Sequence, residues 1–297
     1  MLVKKSKHTM FVGIDEYDAP VNSVVFVGSS YETNLIRITK VNAIEDFFKM
    51  NLFSIFKEAV GDGPTGCVSK YFLTGVLPAF RSGMSPLTAT NIISESPKYH
   101  GICGFTEKQV ETITRAYLDQ GSGDPNSKDS GSQDQSSLEQ VISGACWVMK
   151  RYYNGYSFTT LGNEERLYNP LLVHYYLSMI KQGEVVANPE QSPTVHTVNL
   201  LKSIADTGRF SSDDIVELMI AGSLPVTGGV QNEFGFIDVM QQVGKDRSAT
   251  LSLLFHLGIL THAGKAGQPY QLRIPNEVMK MNVCWSAESV DIGLRSC

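Results

Sequence analysis

The chain has 297 residues, 42% of them hydrophobic and 19% charged, with a net charge of −5. That composition excludes a disordered polymer and leaves room for one large or two modest globular domains. It also excludes a general basic field for nucleic acid, though a local patch stays open. Five scattered cysteines, odd in number and without a Cys-x-x-Cys pair, argue against a disulfide framework or structural zinc. They fit a reducing compartment and so an intracellular protein, cytoplasmic or nuclear. No run of about 18 apolar residues is present, so no transmembrane helix is expected. The basic start, Met1 to His8, lacks the apolar run of a signal peptide.

Met10-Phe11-Val12-Gly13-Ile14 is an apolar run of strand length that ends abruptly in Asp15, Glu16 and Asp18. A strand buried on both faces of a parallel sheet reads this way, and ligands on such sheets lie beyond the carboxyl ends. All three carboxylates are expected there. The bland alternative is a buried strand that ends in a solvated acidic turn.

Asn42 to Val60 reads as a helix, with Asn42 as N-cap, Glu45 completing a capping box, and an apolar stripe including Phe47 and Phe48 expected in the core. Gly61 is its stop. The stretch from Gly61 to Val68 spaces two glycines like a phosphate loop, but it lacks the Lys and hydroxyl and follows a helix. It is read as a helix stop and loop. Cys67 to Leu73 is a second strand, expected parallel to the first, with Thr74 and Gly75 at its carboxyl end beside Asp15 and Glu16. Thr74 either senses phosphate there or satisfies local backbone groups. Arg81 is the nearby cation that can reach a phosphate, or else an ordinary surface arginine.

Thr106 and Gln109 form a capping pattern for a helix to about Leu118. Gly121 to Ser137 has no large apolar residue, and reads as a flexible loop inside one domain or as a linker. Leu138 to Tyr152 is helical. Tyr152 to Phe158 follows, with Asn154-Gly155 as a turn signal and aromatics that either pack on a sheet or line a pocket. Asn169-Pro170 starts a helix, Asn as cap and Pro at the first position. Residues 182–194 form a loop and possible boundary, 195–205 a helix, and Ser212 caps another helix with Asp213 and Asp214 in its first turn. Ala249 to His256 is helical, and Ile259 to Ile274 reads as strand, turn, strand.

Four apolar-type residues followed by Asp-Glu is the pattern of a Walker B strand. Ile14-Asp15-Glu16-Tyr17-Asp18-Ala19-Pro20, Tyr71-Phe72-Leu73-Thr74-Gly75-Val76, Gly104-Phe105-Thr106-Glu107, Tyr152 to Phe158 and Tyr168-Asn169-Pro170 follow in that order. Together they resemble the AAA-ATPase-like family, from about Met10 to about Met279. The resemblance implies a P-loop NTPase fold, often fused to a PD-(D/E)XK nuclease-like domain. It implies Mg²⁺ held by Asp15, water activated by Glu16, and ATP phosphates sensed by Thr74 and Arg81. The implied layout is an α/β domain over 1–182, a helical and winged-helix-like region over 195–281, and a tail over 282–297. No PD…(D/E)xK constellation is present, so no nuclease activity is expected. No G-x-x-x-x-G-K-[ST] stretch is present either, so the chain reads as N-terminally truncated relative to the family and its ATP hydrolysis is in question. Three readings stay open. It is a nucleotide-dependent switch or machine component, a non-catalytic interaction or regulatory module, or a truncated gene product. A protein partner or self-association fits each of them, nucleic acid enters only through the winged-helix-like segment, and no membrane is involved.

Overall fold

The computed structural model describes residues 9–26, 34–54, 68–78, 91–119, 133–159, 165–181, 189, 212–232, 246–264 and 270–288. The chain divides into two compact units, each discontinuous in sequence. The first comprises Met1–Ile92 with Val230–Leu257, the second Ile93–Gly229 with Gly258–Cys297. Mixed helix and strand, with a small parallel pair, makes the architecture compatible with α/β.

In the first unit β1 (Met10–Ile14) pairs with β2 (Val68–Leu73) in parallel. The register sets Phe11 beside Lys70 and Ile14 beside Leu73, with an irregularity between Met10 and Phe11. Between them lie α1 (Ala19–Phe26), α2 (Asn34–Phe47) and a π-helical continuation over Phe48–Phe53. α2 begins eight residues before Asn42, which therefore stands inside the helix and caps nothing. Phe47 is also exposed rather than in the core.

The run expected to be buried on both faces is not. Phe11 is 66% exposed and Phe72 is 39% exposed, while Val68 at the start of β2 is buried. Apolar content alone does not distinguish a doubly covered strand from one covered on a single face. α7 (Arg247–His256) completes the described part of this unit. Asp246 caps it by accepting from the Ser248 amide at 2.9 Å, and Leu251, Leu253 and Leu254 are buried.

The second unit is built on α3 (Glu107–Asp119), α4 (Gln133–Tyr153) and α5 (Pro170–Lys181). Ile142, Ala145, Met149 and Tyr153 recur at helical spacing along α4 and are all buried. Met149 and Tyr153 meet Val110 of α3 and Leu172, Val173 and Tyr176 of α5 in one core. The caps are as the sequence implies. The Thr106 amide donates to Gln109 Oε1 at 2.9 Å, and Asn169 Oδ1 accepts from the Leu171 amide at 2.9 Å. α4 starts at Gln133, so residues 133–137 of the expected flexible loop are helical. The rest of that loop lies outside the described residues, as do 195–205 and nearly all of 182–194.

Asn154-Gly155 is not a turn but part of β3 (Asn154–Tyr156), antiparallel to β4 (Leu167–Tyr168). Phe105 extends the ladder by exchanging backbone hydrogen bonds with Tyr168 at 3.1 and 2.8 Å. After α6 (Ser212–Ala221), β5 (Leu224–Pro225), β6 (Thr261–His262) and β7 (Gln271–Arg273) form an antiparallel sheet of order β5-β7-β6. The expected strand-turn-strand is thus an antiparallel pair, while α7 before it is assigned to the first unit. α8 (Glu277–Glu288) closes the described chain, capped by Asn276 Oδ1 on the Met279 amide at 3.1 Å.

Candidate functional site

The parallel pairing brings the carboxyl ends of β1 and β2 to one edge. The ladder continues past the strands: the Thr74 amide donates to the Ile14 carbonyl at 2.9 Å, and the Tyr17 amide to the Thr74 carbonyl at 3.0 Å. Two residues far apart in sequence, Asp15 and Thr74, are thereby set side by side. The Thr74 hydroxyl donates to Asp15 Oδ1, which also accepts from the Glu16 amide at 3.0 Å. One carboxylate oxygen is thus held by two donors. No described residue donates to the other, Oδ2, and Asp15 is exposed. Glu16 is exposed as well. Its φ of 49° makes it the one non-glycine residue with positive φ among those described. Such a backbone costs a non-glycine residue roughly 1–3 kcal/mol and persists only where its surroundings fix it.

Asp18 departs from expectation. It is fully buried rather than at the open edge. Its Oδ2 accepts from the amides of Val76 at 2.9 Å and Leu77 at 2.7 Å, clamping the chain just after Thr74. Its backbone carbonyl receives the Val21 and Asn22 amides at the start of α1. The Tyr17 hydroxyl donates to the Leu77 carbonyl in the same clamp. Gly75 lets these parts close. A Cβ there would stand 2.5 Å from Tyr17 Cε1 and 2.6 Å from Asp18 Oδ1. In the acidic run Asp15 to Asp18, nothing in sequence marks which carboxylate turns inward. The signal available was Gly75, a residue without a side chain opposite the acidic turn.

Asp15, Glu16 and Thr74 are therefore brought together, and Arg81 lies outside the described residues. The oxygen donors suit a hard cation such as Mg²⁺, which binds through one or two carboxylates with water and phosphate completing its shell. Among the described residues no group of three or more His, Cys, Asp or Glu is placed to hold a metal. A cage made wholly of protein ligands is thus not what this edge offers. No described helix is long and apolar enough to cross a membrane.

The other stretches of the motif series meet in the second unit. Phe105 bridges Tyr168, β3 pairs with β4, and Gly155 packs on Pro275, where a Cβ would stand 1.9 Å from the Pro275 carbonyl oxygen. Burial pushes the Tyr156 phenol above its ordinary pKa, partly opposed by hydrogen bonds with Asn276 and Asn169. These aromatics are packing elements. Tyr153 and Tyr168 are each almost wholly buried.

No protein-family model, curated protein or solved structure matches this chain.

Proposed function

We propose that the carboxyl edge of β1 and β2 is the metal-and-phosphate end of an AAA-ATPase-like, P-loop-type domain that works as a nucleotide-dependent switch or machine component. The observation that carries the proposal is the contact of Thr74 with Asp15 across two parallel strands, with Glu16 next in line. Asp15 would hold Mg²⁺, whose role there is to neutralise phosphate charge. The Thr74 hydroxyl fixes the Asp15 carboxylate and stands where a terminal phosphate can be sensed. Glu16 would orient the attacking water, and Arg81 would add a cation toward the phosphates. The reading extends to a protein inside the cell, and the free thiols of Cys103, Cys146 and Cys284 accord with that.

These 297 residues contain no glycine-rich loop with its lysine. Such a loop contributes several charge-assisted hydrogen bonds of roughly 1.5–3 kcal/mol each. Without two of them, affinity for MgATP falls by about a hundredfold or more. Calorimetric titration with MgATP is therefore expected to give weak binding that Asp15→Ala abolishes. Binding that Asp15→Ala leaves unchanged would refute the assignment of this edge.

A second reading, a non-catalytic interaction or regulatory module that pairs with a protein or with itself, is favoured by the exposed apolar side chains of Met10, Phe11 and Phe72 on the strands. Absence of any MgATP binding, with sedimentation showing self-association that Phe11→Ser removes, is the result that would place it first. A winged-helix-like role for the β5-β7-β6 region, with nucleic acid as partner, belongs to the family resemblance and gains nothing from the net charge of −5.

A further inference from the structure

β1 has β2 on one side and no described strand on the other. A parallel sheet is ordinarily covered on both faces, and a two-stranded pair by itself is marginal. Backbone N–H and C=O groups alternate between the two sides of a strand. The Ile14 carbonyl accepts from the Thr74 amide at 2.9 Å, and the Met10 carbonyl from the Ser69 hydroxyl at 3.2 Å. Met10, Val12 and Ile14 therefore turn their backbone groups toward β2. The N–H and C=O of Phe11 and Gly13 turn to the opposite, outer side. Both residues are exposed, Phe11 by 66%.

This strand is complementary to itself when reversed. The chain leading into it carries Lys4, Lys5, Lys7 and His8, and the chain leaving it carries Asp15 and Glu16, both exposed. A second copy laid antiparallel brings the basic lead of each to the carboxylates of the other. A parallel copy would set acid beside acid. With Val12 on the two-fold axis, Phe11 of one copy stands opposite Gly13 of the other, and the two exchange both N–H···O=C bonds of a hydrogen-bonded pair. The exposed Phe11 ring then covers the bare backbone of an edge glycine. There is room for it, since a Cβ added at Gly13 would meet only the Phe11 ring of its own strand, at 3.8 Å.

We propose that β1 is a dimerisation strand: a second copy of this chain pairs with its outer side antiparallel, giving a continuous sheet of order β2-β1-β1-β2. The contact is isologous, the same strand edge serving both copies about a two-fold axis. Strands this short bury little area, so the dimer belongs with transient interfaces, those under about 1,200 Å². The pairing supplies the site for the self-association named in the second reading above, and rests on that reading. It does not depend on whether Asp15 holds Mg²⁺.

The test is sedimentation velocity of the full chain over a concentration series, together with residue-resolved amide exchange. The expected result is a monomer–dimer equilibrium in which protection of the Phe11 and Gly13 amides rises with protein concentration. Gly13→Pro removes the outward N–H of each copy and leaves the ladder to β2 intact, a position where an edge strand tolerates proline. It should weaken the dimer about tenfold or more, the loss expected for two ordinary hydrogen bonds. Phe11→Lys keeps every backbone donor and sets a charge on the edge, so it should weaken the dimer too, and it covers a proline variant that fails to fold. Association should also fall as salt screens the charged ends. A chain that stays monomeric at every concentration would overturn the pairing and the self-association reading together. A dimer that both variants leave unchanged, or that forms with those amides unprotected, would overturn the β1 pairing alone.

Discussion

Asp18→Ala tests the clamp behind the Asp15 edge. The substitution removes the acceptor for two amides. Leu77 is 1% exposed, so its orphaned N–H loses the full desolvation term, about 1–3 kcal/mol. Val76 is 44% exposed, so its amide can turn to water, and the loss there is that of one ordinary hydrogen bond, about 0.5–1.5 kcal/mol. Together these give about 1.5–4.5 kcal/mol. Asp18→Asn keeps an acceptor for both amides and should cost about half as much or less. Tryptophan fluorescence is the wrong probe, because Trp147 and Trp285 lie on α4 and α8 of the other unit. Hydrogen exchange over residues 68–78 with urea unfolding by circular dichroism reads the right segment. A change under about 0.5 kcal/mol for Asp18→Ala, the scale of an ordinary surface substitution, would refute the clamp.

Gly155→Ala should destabilise the second unit by about 3 kcal/mol or more, since backbone strain at φ 125° adds to the collision with Pro275, and calorimetric melting would read it. A loss under about 1 kcal/mol would mean the β3 backbone is free to move. The His256 ring is held by the Gln231 carbonyl at 2.8 Å, and burial pushes its pKa down. The unfolded chain therefore binds the proton more readily than the folded one. Stability from this group is complete above the unfolded value of about 6.5 and is lost as pH falls through the lower folded value. The slope of stability against pH in that window should flatten in His256→Gln, as measured by urea midpoints at a series of pH values.

What could be read in the sequence follows from how local each signal is. The caps at Thr106 and Asn169 involve residues two or three apart, and both form as the spacing implies. The parallel pairing of β1 with β2 was legible because two apolar runs are separated by a helical stretch, which suits a crossover between parallel strands. The start of α2 was not. Asn42 and Glu45 satisfy a capping pattern, but the helix continues upstream through Leu35-Ile36-Arg37-Ile38, where no cap residue or glycine interrupts it. The exposure of Phe11 and the inward turn of Asp18 depend on which neighbours cover each face. Arg166 and Arg273 are 107 positions apart and share no motif. Only the packing of the β3–β4 pair beside the β5-β7-β6 sheet brings both to the Gly155 carbonyl.

The two aspartates at the end of β1 separate support from site. Asp18 is buried and one of its oxygens is used by backbone amides on the β2 side. Its other oxygen, Oδ1, is buried without a hydrogen-bond partner, so Asp18 holds the turn from the interior and does not face the open edge. Asp15, three residues earlier, has one oxygen fixed by Thr74 and Glu16 and the other left to solvent. Between them Glu16 sits at φ 49°, a conformation that glycine or asparagine would adopt at lower cost. A turn shaped only for stability would have no need to keep a glutamate there. The ladder bond from Tyr17 to Thr74 on one side and the Asp18 clamp on the other hold that strained residue in place. Strain of this kind, held from both sides at an exposed edge where a hydroxyl fixes a carboxylate, supports a site for a hard cation and phosphate over a solvated acidic turn.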